Sequence, residues 1–252
     1  MVKYIFSINT GRSGSTYVAS LLKGFAGVEA FHENKPECYG VDMSNYINNK
    51  ANNIKNCSDE KLEIINKTIE NSHKIYAETN HYFIKGFGWE LMKKLDQKEV
   101  GIILINRSQE KIAKSWISKG TSILGRGGKN FLLLPVKNSE IDINNYIKGF
   151  SWKFIIMKFY YRVLNLPYVL SLVNKRRVTK LIHDFEYNYN LYYVAEVKRL
   201  EKQFFEKYSE VTICRLDLEN TTQNEKIETL KSCFDLGEFD ANLTTIKMNS
   251  SR

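Results

Sequence analysis

The sequence lacks the two glycine-rich signatures that most often mark a nucleotide site. A Walker A loop requires a lysine directly after its last glycine. Here Gly14 is followed by Ser15, and the nearby basic residue, Arg12, precedes that glycine. The Rossmann pattern G-x-G-x-x-G is also missing. An ordinary P-loop NTPase and a Rossmann dinucleotide-binding protein are therefore both disfavoured.

Cysteine is scarce and scattered. The four cysteines form no C-x-x-C pair and have no spacing typical of a secreted scaffold; they are Cys38, Cys57, Cys214 and Cys233. We therefore expect reduced thiols in a cytosol-like compartment, and hence a cytoplasmic protein. The first predicted strand begins within a few residues of Met1, which leaves no room for a signal peptide unless one was removed earlier.

A long uninterrupted hydrophobic run is also missing. The most apolar stretch, 150–173, is broken by Lys153, Lys158, Arg162, Asn165 and Pro167. These residues argue against a membrane span and predict a core or pocket-lining helix, with peripheral contact to a membrane surface left open. No His/Cys/Asp cluster has metal-ligand spacing, and no RNA- or DNA-binding motif is present.

Length and charge set the scale of the molecule. The chain has 252 residues, which fits a single domain over 1–252 with a sizeable core. Its formal net charge is +9, which points to anionic partners without choosing among nucleotide, acidic sugar, nucleic acid and membrane surface.

Apolar runs of strand length alternate with helical patterns along the chain. Strands are predicted at 4–8, 28–32, 74–78, 100–105 and 211–214. Helices are predicted from apolar spacing around Val18, Leu62, Trp89, Tyr193 and Ile227. This alternation predicts an α/β fold with a central parallel β-sheet flanked by helices and ligands at the carboxyl ends of the strands. The glycine-rich stretch 120–140 is predicted to be a lid, a binding loop or a disordered segment.

The connection between the first strand and the first helix is rich in glycine and hydroxyl side chains. It reads Gly11-Arg12-Ser13-Gly14-Ser15-Thr16. A strand–loop–helix turn of this kind directs backbone N–H groups and a helix N-terminus at one point, which suits a phosphate or sulfate. The glycines allow close approach of the backbone, and Arg12 adds a fixed positive charge. We expect an anion site here rather than a plain connecting loop.

A second anion-binding pattern follows the strongest predicted strand. Arg107 comes at the end of that strand, and Ser115 lies eight residues later in the next predicted helix, which Ser108 is placed to cap. Two helical turns return the Ser115 hydroxyl to the side of the cap. Arg107 and Ser115 can therefore share an anion.

Together these two motifs resemble those of sulfotransferases that use 3′-phosphoadenosine 5′-phosphosulfate (PAPS). The segment 10–16 is similar to the family's 5′-phosphosulfate loop, and Arg107 with Ser115 matches the pair that holds the 3′-phosphate. The segments 76–81 and 211–234 resemble, more loosely, the bacterial and carbohydrate-type members. The resemblance implies a P-loop-NTPase-like fold, PAPS as co-substrate, 3′,5′-adenosine bisphosphate as product and no required metal.

The chain departs from the family pattern at two places. The common Arg-x-Pro is Arg-Ser-Gln here. The Arg-Lys-Gly motif that also binds the 3′-phosphate in cytosolic members is missing near the C-terminus, where the segment 247–252 offers only one lysine and one arginine. Arg126 and Lys129 are the predicted substitutes.

The catalytic base is predicted beside the loop. Carbohydrate- and tyrosylprotein-type members place a glutamate after the second strand, and Glu33 occupies that position, with His32 as runner-up. His81 is the positional analogue of the histidine that serves cytosolic members, and Glu78 is a further candidate, unless it is a strand-end carboxylate paired with a lysine. Lys35 could orient the base or touch the sulfonate.

The leading interpretation is in-line transfer of a sulfuryl group to a hydroxyl or amine of a small-molecule, carbohydrate or lipid acceptor, without a nucleic-acid partner. Arg12 and the loop amides would neutralise charge on the departing 5′-phosphate. The alternatives are a P-loop-type nucleotide kinase and a catalytically inactive nucleotide-binding protein of the same fold. The stretch 120–140 and the helix around Trp152 are predicted to form the acceptor pocket, and Tyr146, Phe150 and Tyr160 either line it or fill the core.

Overall fold

The apolar runs form one parallel β-sheet in the computed structural model, which describes residues 1–125, 127–164 and 175–244. The strands are β1 Tyr4–Ile8, β2 Val28–His32, β3 Ile75–Thr79, β4 Val100–Asn106 and β5 Thr212–Asp217. The helices are α1 Ser15–Lys23, α2 Val41–Ile47, α3 Ile54–Ser72, α4 Phe87–Leu91, α5 Gln109–Ser118, α6 Gly128–Phe131, α7 Phe150–Leu164, α8 Lys175–Lys207 and α9 Gln223–Phe234.

The sheet order is β2-β3-β1-β4-β5, and every neighbouring pair is parallel. Phe6 in β1 lies opposite Glu78 in β3 on one side and Ile102 in β4 on the other. The chain builds β2 and β3 on one side of β1 and then crosses to β4, so the connectivity reverses direction at β1. Ligands of such sheets bind where the strand order reverses, at the carboxyl ends of the strands. The predicted α/β class with helices flanking a parallel sheet is confirmed.

Alternation along the strands separates the core into two layers. Ile5 packs with Val18 of α1 and Phe234 of α9 on one face of the sheet. Phe6 packs on the opposite face, in a larger cluster that includes Tyr193 of α8. Because both faces are covered, the strands are apolar almost throughout, as the continuous run of β4 indicates.

One predicted helix is shorter in the structure, and the predicted loop 120–140 contains one short helical turn. The helix predicted around Trp89, Met92 and Leu95 is only the short α4, which is followed by turns in which Lys93 N donates to the Glu90 carbonyl and Lys94 N to the Leu91 carbonyl. Asp96 then caps a separate 3-10 turn. The stretch 120–140 contains the short helix α6.

The outer face of α7 contradicts the prediction of a core helix. Its inner side chains, such as Phe154, pack against the core, but Trp152, Ile155, Ile156 and Phe159 are exposed. Residues 165–173, the remainder of the predicted apolar segment, lie outside the described residues. Within the described ranges, no helix combines the length and the apolar character that crossing a bilayer requires.

The prediction of reduced cysteines is wrong for one pair. Cys38 and Cys57 form a disulfide, which ties the segment after β2 to the first turn of α3, whereas Cys214 and Cys233 are free thiols. Spacing alone gave no sign of this pair, because the two cysteines meet through the fold of the segment after β2. Protein disulfides persist mainly in oxidising compartments, so the cysteines no longer support a cytosol-like location.

Reduction of this disulfide is expected to destabilise the protein by about 3 kcal/mol, because a cross-link of this span restricts the unfolded chain. The two cysteines are 19 residues apart in sequence. Urea unfolding with and without dithiothreitol measures the effect. The double variant Cys38→Ser/Cys57→Ser should be insensitive to the reductant, and an equal response in that variant would contradict the assignment.

Candidate active site

A cleft of about 280 Å³ opens at the carboxyl end of the sheet, beside β1. It is lined by Gly11, Arg12, Gly14, Ser15, Thr16, His32, Glu33, His81, Arg107, Trp116, Lys119 and Phe131. The cleft therefore lies where the strand order reverses, and it joins the predicted anion loop, the predicted base and the start of α5.

Hydrogen bonds to Asn9 and positive φ angles shape the anion loop. Asn9 Oδ1 accepts from Gly11 N at 2.8 Å and from Ser13 Oγ at 3.3 Å. Gly11, Arg12 and Gly14 have φ angles of 71°, 55° and 96°. The positive φ at Gly14 favours glycine, and a Cβ there would lie 2.4 Å from the end of the Leu218 side chain, which would have to move. Because the Ser13 hydroxyl donates to Asn9, it stabilises the loop itself.

The N-terminus of α1 faces the cleft without a capping side chain. Gly14 is its N-cap residue, and the first turn contains no acidic side chain. Ser15 and Thr16 of that turn line the cleft. The unpaired N–H groups of a helix N-terminus and its partial positive charge favour an anion at this point.

The second motif lies directly against the first. Arg12 Nε donates to Ser115 Oγ at 3.1 Å, and Arg107 Nη1 donates to the Arg12 carbonyl oxygen at 2.5 Å. Both guanidinium groups are partly exposed, so they can exchange these contacts for a bound anion at low cost. The two predicted cradles are thus parts of one cationic surface.

Two further charged residues modify this surface. Glu219 lies 3.6 Å from Arg107 Nε and 3.2 Å from Lys111 Nζ, so a carboxylate competes with a bound anion for Arg107. Lys119, at the end of α5, lines the cleft and compensates with a positive charge. Sequence reasoning missed Lys119, although it follows Ser115 by four residues and hence by about one helical turn.

Glu33 stands at the cleft in a left-handed conformation, with φ 51°. Its backbone N–H donates to the Thr79 carbonyl oxygen at 3.1 Å, which continues the pairing of β2 and β3 past the strand end. The carboxylate lies 3.5 Å from His81 Nε2 and 3.9 Å from His32 Nε2. Burial raises the pKa of Glu33 above its ordinary value, although the neighbouring His32 and Lys85 oppose that rise. A carboxylate with a raised pKa is a better general base.

His32 is oriented by the strand behind it. Its Nδ1 lies 3.0 Å from the Thr79 carbonyl oxygen, which can only accept, so Nδ1 carries a hydrogen. Its Nε2 then accepts from the Thr16 hydroxyl at 3.0 Å. The ring therefore connects β3 to the anion loop, and its free lone pair is already engaged.

His81 is held by a buried lysine. Lys85 Nζ contacts His81 Nδ1 at 2.6 Å and donates to the Phe131 carbonyl and the Tyr193 hydroxyl, each at 2.7 Å. The Tyr193 hydroxyl donates in turn to the Thr10 carbonyl oxygen in the anion loop. Burial lowers the pKa of both Lys85 and His81 well below the ordinary values. Sequence patterns did not identify Lys85, because its contact with Tyr193 of α8 is made only when α8 packs behind the cleft.

Exposure separates the candidate bases. The side chain of His81 is 4% exposed, whereas those of Glu33 and His32 are 27% and 30% exposed. Glu33 and His32 can therefore be reached by a bound molecule. The Thr16 hydroxyl is hydrogen-bonded to His32 Nε2, whereas no hydroxyl group of the described residues is hydrogen-bonded to the Glu33 carboxylate.

Glu78 and Lys35 lie away from the cleft. Glu78 is buried and accepts hydrogen bonds from Lys61, Tyr76 and Asn80. It is therefore a strand-end carboxylate paired with a lysine, which was the alternative interpretation of this residue. Lys35 is exposed and does not line the cleft.

The predicted acceptor residues belong to the core side of the molecule. Tyr146, Phe150 and Tyr160 pack against the larger core cluster, and none of them lines the cleft. Lys129 does not line it either, and Arg126 and 247–252 lie outside the described residues. The aromatic wall of the cleft comes instead from Trp116 and Phe131.

The indole N–H of Trp116 has no hydrogen-bond partner among the described residues, although the side chain is buried. An unpaired buried donor is costly unless water or a ligand satisfies it. Its position at the cleft suits an acceptor oxygen on a bound molecule.

No protein-family model matches this chain, and no curated protein sequence matches it either. The case for a function therefore depends on the residues of the cleft and their geometry.

Proposed function

We propose that the chain is a PAPS-dependent sulfotransferase. The observation that carries the proposal is the contact of the two motifs: Arg12 with Ser115, and Arg107 with the backbone of Arg12, at the mouth of the β1–α1 turn. These residues are 95 and 103 positions apart in sequence. The fold thus joins two anion-binding motifs that a molecule with a 5′-phosphosulfate and a 3′-phosphate would need close together.

The charges of the cleft divide naturally between the two ends of such a nucleotide. The α1 N-terminus and Arg12 would hold the 5′-phosphosulfate, since backbone amides and a guanidinium both donate to oxyanions. Arg107 and Ser115 would hold the 3′-phosphate. Lys119 is the described basic residue best placed to substitute for the missing Arg-Lys-Gly motif, because it lines the same cleft.

The proposed reaction is an in-line displacement at sulfur. Glu33 takes the proton of the acceptor hydroxyl, and the acceptor oxygen forms a new S–O bond. The S–O bond to the 5′-phosphate breaks at the same centre, and its electron pair leaves with the phosphate. Arg12 and the loop amides stabilise the negative charge gained by that phosphate. His81 Nε2 lies 3.5 Å from the Glu33 carboxylate, and Lys85 holds the His81 ring from its Nδ1 side.

Nucleotide preference distinguishes this proposal from its two alternatives. Thermal stabilisation by 3′,5′-adenosine bisphosphate but not by ATP with magnesium supports a sulfotransferase site. Stabilisation by ATP with magnesium, but not by the bisphosphate, would support the kinase. Binding of the bisphosphate without transfer from PAPS to any member of a panel of saccharides, lipids and phenols would support the inactive binding protein. The panel also identifies the acceptor class.

Arg107→Ala is expected to weaken binding of 3′,5′-adenosine bisphosphate by about tenfold to a hundredfold, as loss of a hydrogen bond to a charged group does. Lys111→Ala is the matched control, because Lys111 pairs with the same Glu219 but does not line the cleft. Fluorescence titration of both variants measures the difference. Equal losses would mean that only the net charge matters and would contradict a specific role for Arg107.

A further inference from the structure

An exposed apolar stripe lies along α7. It consists of Trp152, Ile155, Ile156 and Phe159, whose exposed fractions range from 37% to 70%. Their spacing places them on one side of the helix. The opposite side of α7, including Phe154 and Met157, packs against the core. The helix is therefore apolar on both sides, and among the residues that the structure describes only one of these sides is covered.

The neighbouring helix also carries an exposed apolar side chain. α8 packs against α7, and Leu181 near the beginning of α8 is 45% exposed. A row of exposed apolar side chains such as that of α7 usually marks a site of interaction, since single exposed hydrophobic residues are common but clusters are not.

The segment that contains the stripe is strongly basic, although Asp142 and Asp184 flank it. The segment from Ile143 to His183 contains no aspartate or glutamate. Its basic residues are Lys148, Lys153, Lys158, Arg162, Lys175, Arg176, Arg177 and Lys180. Lys153 Nζ lies 5.6 Å from the Trp152 ring centroid, so cation and aromatic ring already share the same surface. A partner for this face must combine apolar and anionic groups.

We propose that α7 and the first turns of α8 bind the surface of a membrane that contains anionic lipids. Aromatic and aliphatic side chains would enter the boundary between headgroups and acyl chains, while the lysines and arginines contact the headgroups. A basic amphipathic helix with tryptophan and phenylalanine on its apolar side has the composition of a peripheral anchor. The proposal concerns a surface and does not depend on the reaction assigned to the cleft.

Cosedimentation with vesicles tests the proposal. The full chain should bind vesicles of phosphatidylcholine containing about one-third phosphatidylserine, and binding should fall at least about tenfold on pure phosphatidylcholine. The variant Ile155→Gln/Phe159→Gln should lower binding to the mixed vesicles by about tenfold or more. Val41→Gln, which removes an exposed apolar side chain from α2, should bind as the wild type does.

A charge pair separates local recognition from net charge. Lys158→Glu/Arg162→Glu and Lys50→Glu/Lys202→Glu change the net charge equally, but only the first pair lies beside the stripe. We expect loss of binding in the first variant and much smaller loss in the second. Circular dichroism checks that each variant is folded, and its spectrum should match that of the wild type because the substitutions lie on the surface.

Fluorescence quenching locates the contact. Brominated acyl chains should quench the wild type and should lose most of that effect in Trp152→Phe, because Trp116 is buried and Trp89 is half-buried against the core. Absence of vesicle binding by the wild type, or equal binding by all variants, would overturn the proposal. Concentration-dependent dimerisation that Ile155→Gln/Phe159→Gln abolishes, without vesicle binding, would assign the face to a second copy of the chain instead.

Discussion

Replacing Glu33 by glutamine is expected to lower sulfuryl transfer from PAPS by about 10²–10⁴-fold, the usual contribution of a positioned general base. The amide keeps the size of the side chain but cannot take a proton. Binding of 3′,5′-adenosine bisphosphate should be nearly unchanged, because Glu33 lies beside the histidines rather than beside Arg107. Single-turnover rates and nucleotide affinity, measured on the same preparation, separate the two effects.

The pH dependence gives an independent check on Glu33. Because burial raises the pKa of Glu33, the carboxylate becomes protonated earlier than an ordinary glutamate as pH falls. Activity should therefore fall on the acid side through this raised pKa, and the remaining activity of Glu33→Gln should lack that dependence. Glu37→Gln, in the same segment but outside the cleft lining, is the control: it should keep an acid limb but at a lower pH, because the charge of Glu37 helps to raise the pKa of Glu33. An unchanged acid limb in Glu33→Gln would assign the base to another residue, with His32 next.

Lys61→Met is expected to destabilise the protein by about 3–5 kcal/mol, because it leaves a buried carboxylate without its counter-charge. Both side chains of the Lys61–Glu78 pair are fully buried, with Lys61 Nζ 2.8 Å and 3.1 Å from the two carboxylate oxygens. Burial lowers the pKa of Lys61, so the charged form depends on Glu78. Urea unfolding gives the change in free energy.

The double variant Lys61→Met/Glu78→Gln should regain part of that loss, since neither member remains as an unpaired buried charge. Lys94→Met is the control, because its partner Asp59 is a surface residue, and its cost should stay below about 1 kcal/mol. A loss for Lys61→Met no larger than for Lys94→Met would contradict the role of the buried pair.

The buried pair also bears on the cleft. Lys61 Nζ donates to the carbonyl oxygen of Asn34, the residue after Glu33, at 2.5 Å. Asn34 Nδ2 donates to the Tyr76 hydroxyl, which itself donates to Glu78. The segment that carries the proposed base is thus anchored to α3 and β3 by one polar network, and the Cys38–Cys57 disulfide holds it a few residues further on.

Sequence patterns predicted the strands of the parallel sheet and the glycine-rich turn before α1 well because both are local. Continuous apolar runs can form buried strands only if helices cover them, and Gly14 marks a turn whose backbone conformation other residues rarely adopt. Ser108 was predicted to cap α5, and its side chain does accept a hydrogen bond from Lys111 N. The spacing of Arg107 and Ser115 is likewise set by two turns of a single helix.

What the sequence could not predict depends on contacts between distant segments. Lys85 contacts His81, which lies four residues earlier in the chain, but it also donates a hydrogen bond to Tyr193 of the distant helix α8. Cys38 meets Cys57 only because the segment after β2 folds back onto α3. The exposed side of α7 was misjudged for a related reason: apolar spacing predicts burial but does not say what covers each face.

Calorimetric comparison of 3′,5′-adenosine bisphosphate with adenosine 5′-monophosphate tests the central claim most directly, since the two differ only in the 3′-phosphate. If the cleft holds two anions of one nucleotide, the bisphosphate should bind the wild-type protein about tenfold to a hundredfold more tightly. Equal affinity for both, or no binding of the bisphosphate, would contradict the account.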